Sequence, residues 1–83
     1  MHKQAPNITL NKNDALDKKI GIVRALWNPT ITDRLYQGCF DTLIECGVKK
    51  HNIITLDVPG SFELIYGGKK VVTNNQPHAI ILI

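Results

Sequence analysis

Apolar residues run without alternation through Ile20-Gly21-Ile22-Val23, inside the stretch Lys19 to Ala25. A continuous run of this length is the pattern of a strand covered on both faces. Asn52 to Val58 repeats the pattern, and Ala79-Ile80-Ile81-Leu82-Ile83 is wholly apolar, so it is expected to be a buried third strand. Between the first two runs, after the Asn28-Pro29 break, Leu35, Cys39, Leu43 and Cys46 recur at helical spacing. Thr30 or Thr32 is suited to cap that helix, Asp33 favours its positive end, and Gly47 closes it at C′.

Between the second and third runs, Pro59-Gly60 forces a turn, and Ser61 can cap a helix from Phe62 to about Thr73. Leu64 stands where a capping box would place glutamate, so this cap is partial. Gly67-Gly68 in the helix interior costs roughly 1 kcal/mol each relative to alanine, which predicts close packing against the sheet or a neighbouring subunit. Asn74-Asn75-Gln76-Pro77 breaks the helix. The order is βαβαβ, an α/β fold with a parallel sheet. Right-handed crossovers point the strands the same way, so the turns after the first two strands both reach the sheet's carboxyl edge.

With 83 residues the chain is one domain, and a domain of this size buries only somewhat more than ~60% of its unfolded surface. A fully apolar last strand leaves further strands to be supplied, so the expectation is the front part of a larger α/β domain, truncated after its third parallel strand. Residues 1–18 form a polar lead and residues 19–83 the first part of the α/β domain. In the lead, Ile8-Thr9-Leu10 either adds a strand to a neighbouring subunit or frays.

Composition narrows the function classes. The chain is 43% apolar and 20% charged, with no segment near the roughly 20 apolar residues of a membrane span and no secretory signal at its start. Its formal charge of +3 comes from the scattered pairs Lys18-Lys19, Lys49-Lys50 and Lys69-Lys70, a solvated surface without the arginine stripe of a nucleic-acid binder. Neither nucleic acid nor membrane is an expected partner, and the expected location is cytoplasmic. Cys39 and Cys46, seven residues apart on one helix, lie about 10 Å apart along its axis, too far for a disulfide. They are read as small core residues in a reducing compartment, without metal-ligand spacing to any histidine.

The chemistry concentrates in Leu26-Trp27-Asn28 and Pro59-Gly60-Ser61-Phe62-Glu63. An aromatic ring, an amide, a helix N-terminus and a carboxylate meet there without a metal or a glycine-rich phosphate loop, which suits a planar, hydroxyl-rich small molecule. An aromatic face gives a flat heterocycle broad contact, and unpaired amides at a helix start donate to hydroxyl oxygens. Glu63 accepts from hydroxyl groups and gains from the helix dipole. Structural alternatives stand beside each role: Trp27 as a ring covering the core, Phe62 packed under the turn, Ser61 as a cap, Glu63 as a solvated carboxylate, Asn28 as a turn-former. A dinucleotide site would want glycines where Leu26 to Pro29 stands, and a receiver domain would want acidic residues between Arg24 and Asn28.

The succession Arg24-Ala25-Leu26-Trp27-Asn28, Ile31-Thr32-Asp33-Arg34-Leu35, Gly38, Gly47-Val48 and Val58-Pro59-Gly60-Ser61-Phe62-Glu63-Leu64 closely resembles the 6,7-dimethyl-8-ribityllumazine synthase family of riboflavin biosynthesis, over nearly everything from Lys19 to Ile83. The resemblance implies a flavodoxin-like, doubly wound subunit that assembles into pentamers or multiples of them, and a transferase needing no cofactor or metal. It implies condensation of 5-amino-6-(D-ribitylamino)uracil with 3,4-dihydroxy-2-butanone 4-phosphate through an imine, phosphate loss and ring closure. Trp27 matches the aromatic position that stacks on the pyrimidine, and Ser61, Phe62 and Glu63 match the segment that holds the ribityl chain.

The family's Gly-x-Thr phosphate loop, its proton-shuttling histidine, its phosphate-binding arginine and a second aromatic wall have no match in this chain, so no catalytic residue is assigned to it. Arg24 and Arg34 do not match that arginine. His2 lies in the lead, and His51 and His78 precede the second and third strands, roughly 15 Å from their carboxyl ends. The expectation is a chain inactive by itself, with a non-catalytic ligand-binding or assembly fragment of the same fold as the alternative.

Overall fold

The computed structural model describes residues 15–83. The lead, including Ile8-Thr9-Leu10, falls almost wholly outside them. Three strands, β1 (Ile20–Ala25), β2 (Ile53–Val58) and β3 (Ala79–Leu82), form one sheet in the order β2-β1-β3. All pairings are parallel, with Ile20 opposite both Ile53 and Ala79. The α-helices α1 (Pro29–Glu45) and α2 (Leu64–Asn75) are the crossovers.

Because the chain winds from β1 to β2 and then back past β1 to β3, right-handed crossovers put the two helices on opposite faces. Side-chain alternation shows the division. Arg24 and Thr55 share the α1 face, where the Tyr36 hydroxyl lies 2.9 Å from Thr55 Oγ1. Val23, Ala25 and Val58 share the other face with Val71 of α2 and form the buried core, with Leu56, Leu64 and Ile80 packed against it. Ile22, on the α1 face, is also fully buried.

Gly67 explains why α2 tolerates glycine. A Cβ there would lie 2.8 Å from Val23 Cγ1 and 3.0 Å from Val58 Cγ1, so the helix approaches the sheet closer than alanine permits. Gly68 is buried but less constrained, since its Cβ would meet Leu82 Cδ2 at an ordinary 3.5 Å. At the end of α1, Gly47 has φ 100°. The Gly47 N–H donates to the Ile44 carbonyl and the Val48 N–H to the Leu43 carbonyl, both at 3.0 Å, forming the paired bonds of a Schellman cap.

Four local expectations need correction. Neither Thr30 nor Thr32 caps α1, because Pro29 occupies its first position, where a fixed φ and a missing N–H are no cost. Buried Thr32 instead donates its hydroxyl to the Asn28 carbonyl at 3.1 Å, and Asp33 falls beyond the first turn. Ser61 makes no cap bond either: it opens a 3₁₀ turn, Ser61–Glu63, that leads into α2, and α2 then runs to Asn75 before Gln76 ends it at φ 50°.

The apolar stripe of α1 is not buried as expected. Leu35 is 55% exposed, and with Cys39, Leu43 and Ile81 it lines an open groove, while Tyr36 reaches Thr55 of β2 and the Phe40 ring lies 5.9 Å from that of Tyr36. β3 is likewise only half-buried rather than buried, with Leu82 46% exposed. The reason is the same for both: β3 is an edge strand among the described residues, so α2 covers only part of one of its faces and no described element lies along its outer edge.

Candidate ligand site at the carboxyl edge

β1 and β2 end together. Beyond the last register pair, Ala25 with Val58, the Leu26 N–H donates to the Val58 carbonyl at 2.9 Å. Trp27 and Pro59-Gly60 therefore leave the sheet from neighbouring points on one edge. On the other side of β1, the Ala25 N–H donates to the Ile83 carbonyl at 2.9 Å, so the end of β3 reaches the same edge.

Trp27 is 66% exposed and Phe62 is 96% exposed. Trp27 is thus not a ring covering the core, and Phe62 is not packed beneath its turn. Gly60 is extended, and the turn that follows is closed by the Glu63 N–H donating to the Gly60 carbonyl at 3.1 Å. The N–H groups of Ser61 and Phe62 precede that first bond, the position at which a helical segment leaves donors unpaired. A Cβ on Gly60 would lie 3.2 Å from Glu63 Oε1, so the carboxylate folds back over the turn's own start. Ser61 and Glu63 are exposed, and the Asn28 side chain makes no cap bond although its carbonyl accepts from Ile31 and Thr32. Trp27, Ser61, Phe62 and Glu63 thus share one edge without being enclosed. A groove of about 510 Å³ lies elsewhere, against Ile65, Gly68, Val72 and β3.

Arg24 was not assigned a role from sequence, yet its guanidinium is the electrostatic centre of this edge. Nε and Nη2 donate to Asp57 Oδ1 and Oδ2 at 3.0 and 3.1 Å, across the Arg24–Asp57 register pair. Nη1 lies 3.5 Å from Asp33 Oδ1, and the guanidinium carbon sits 4.4 Å from the centroid of the Tyr36 ring. The Asp57 hydrogen bonds raise the Arg24 pKa above its ordinary value. A signal was available: opposite charges occupy the penultimate positions of two adjacent parallel strands.

The histidines stand at the other end of the sheet. His51 lies in a 3₁₀ turn, Lys50–Asn52, ahead of β2. His78 precedes β3, where its Nδ1 accepts from the Lys19 N–H at 3.0 Å and its own N–H donates to the Lys19 carbonyl at 2.7 Å. Cys39 and Cys46 are free thiols, and burial pushes the Cys39 pKa up. Among the described residues no group of three or more His, Cys, Asp or Glu side chains is placed to hold a metal ion, and no helix is long and apolar enough to cross a membrane.

A profile of the family described as 6,7-dimethyl-8-ribityllumazine synthase matches residues 17–83. The 6,7-dimethyl-8-ribityllumazine synthase of Flavobacterium johnsoniae is 49% identical over 70 residues, covering 84% of this chain and 37% of that protein. That of Christiangramia forsetii is 57% identical over 58 residues, covering 70% and 34%, and that of Parabacteroides distasonis 44% identical over 70 residues, covering 84% and 44%. The chain therefore spans less than half the length of these relatives. With its parallel βαβαβ sheet, its two turns at the carboxyl edge and this extent of identity, the chain belongs to the 6,7-dimethyl-8-ribityllumazine synthase family.

Proposed function

We propose that this chain supplies the pyrimidine- and ribityl-binding part of a 6,7-dimethyl-8-ribityllumazine synthase, which condenses 5-amino-6-(D-ribitylamino)uracil with 3,4-dihydroxy-2-butanone 4-phosphate. The observation that carries the reading is the pair of turns leaving one sheet edge with Trp27 and Phe62 both exposed. Two large rings left bare at the ends of neighbouring strands are open to contact with another molecule. Trp27 stacks on the pyrimidine, the N–H groups at the start of the Ser61–Glu63 turn donate to ribityl hydroxyls, and the Glu63 carboxylate accepts from them.

Proton transfer requires a group within about 3 Å or one water. His51 and His78 precede their strands and so stand about 15 Å away by strand rise. Turnover on this reading needs phosphate-binding and proton-transferring groups from another polypeptide segment. The open apolar flanks of β3 support assembly with further chain, and the family resemblance points to a pentamer or a multiple of one. Free thiols at Cys39 and Cys46 suit the cytoplasm.

The test is complementation. Condensation should be undetectable with the chain alone and should appear when a polypeptide carrying a Gly-x-Thr-x-His loop is added. Silence in both arms, with the two polypeptides shown to associate, would leave only a non-catalytic binding or assembly role.

A further inference from the structure

Arg24 joins three elements at the edge from which the ligand turns depart. Its fork grips Asp57 on β2, its Nη1 reaches Asp33 on α1, and its face lies against Tyr36, itself within hydrogen-bond distance of Thr55. The Arg24–Asp33 contact closes over residues 25–32, the segment that contains Trp27. The Arg24–Asp57 contact ties together the strand ends that release the Trp27 turn and the Pro59–Glu63 turn. A guanidinium does this where an ammonium cannot, because its rigid planar fork binds a carboxylate at two points and stacks on an aromatic face simultaneously.

We propose that Arg24 is a positioning residue for the ligand site: it fixes the Trp27 turn relative to the Ser61–Glu63 turn, and so sets the span between the stacking ring and the polar turn. The inference rests on the reading that both turns hold one ligand. Arg24 itself touches no ligand in this scheme. Its effect is therefore selective, falling on ligands that engage both turns at once.

Trp27 is the chain's single tryptophan, so its emission reports this turn alone. The intact chain and the variants R24K, R24Q and D57N would be titrated with 6,7-dimethyl-8-ribityllumazine and with 6,7-dimethyllumazine, which lacks the ribityl chain. Trp27 anisotropy without ligand and the urea midpoint would be recorded in parallel. R24Q and D57N should weaken the ribityl ligand about five- to tenfold, as for one lost polar interaction. They should change the ribityl-free ligand less than about twofold and lower the ligand-free anisotropy, and R24K should recover only part of the loss.

Equal losses for both ligands, or losses that track the urea midpoint, would reduce Arg24 to a structural residue and overturn the proposal. If the intact chain binds neither ligand, the functional reading fails. Anisotropy then still decides the positioning role: unchanged values in R24Q and D57N overturn it, and lowered values support it.

Discussion

Arg24 and Asp57 face each other in register across β1 and β2 and are joined by two side-chain hydrogen bonds, at 3.0 and 3.1 Å. The Arg24 side chain is 21% exposed and that of Asp57 41% exposed, so water and salt screen the pair. An exposed pair is worth up to about 1 kcal/mol, with bidentate geometry at the upper end. D57N should lower unfolding stability by about 0.5–1 kcal/mol in dilute buffer, and by less in 1 M salt, where the screening length falls to about 3 Å. Urea unfolding at the two salt concentrations checks both magnitude and direction.

The two adjacent glycines of α2 should respond oppositely to alanine. G68A gains helix propensity, up to about 1 kcal/mol, because its Cβ meets Leu82 at ordinary contact. G67A makes the same gain but drives a methyl into Val23 and Val58, buried β-branched side chains with little rotamer freedom. Overpacking of this kind typically costs about 1–3 kcal/mol, so G67A should be destabilising overall. Thermal midpoints of the two variants, measured side by side, should move in opposite directions.

Burial raises the Cys39 pKa, which means the folded state holds the thiol proton more tightly than the unfolded state. The resulting stability is fully present below the unfolded thiol's range, near pH 8.5, and is lost as pH rises through the higher folded value. C39S should therefore flatten part of the decline in stability above about pH 8.5. Unfolding free energy of both proteins between pH 7 and 10.5 provides the comparison.

The strands and both crossover helices were legible because each has its own signature: unbroken apolar runs for β1 to β3, helical spacing for α1, and Gly47 at its end. Their parallel order then placed Trp27 and the Ser61–Glu63 turn on one edge. What sequence did not reveal was decided by contacts between elements. Thr32 and Ser61 were good caps by residue type, but Pro29 and the 3₁₀ turn set the helix starts earlier or tighter than propensity alone implies. β3 read as buried because its residues are apolar, yet burial depends on what lies beside a strand, and among the described residues nothing covers its outer flank. The role of Arg24 lies in its register with Asp57, which no single segment of the sequence contains.

The central claim, that the Trp27 and Ser61–Glu63 turns bind one ribityl-bearing heterocycle, is tested most directly by titrating the chain with 6,7-dimethyl-8-ribityllumazine while following Trp27 emission. Saturable quenching is predicted. In W27A and E63A, followed calorimetrically, binding should weaken, by about 1–3 kcal/mol in W27A on the scale of aromatic base stacking. Quenching that never saturates, or a W27A affinity equal to that of the intact chain, would contradict it.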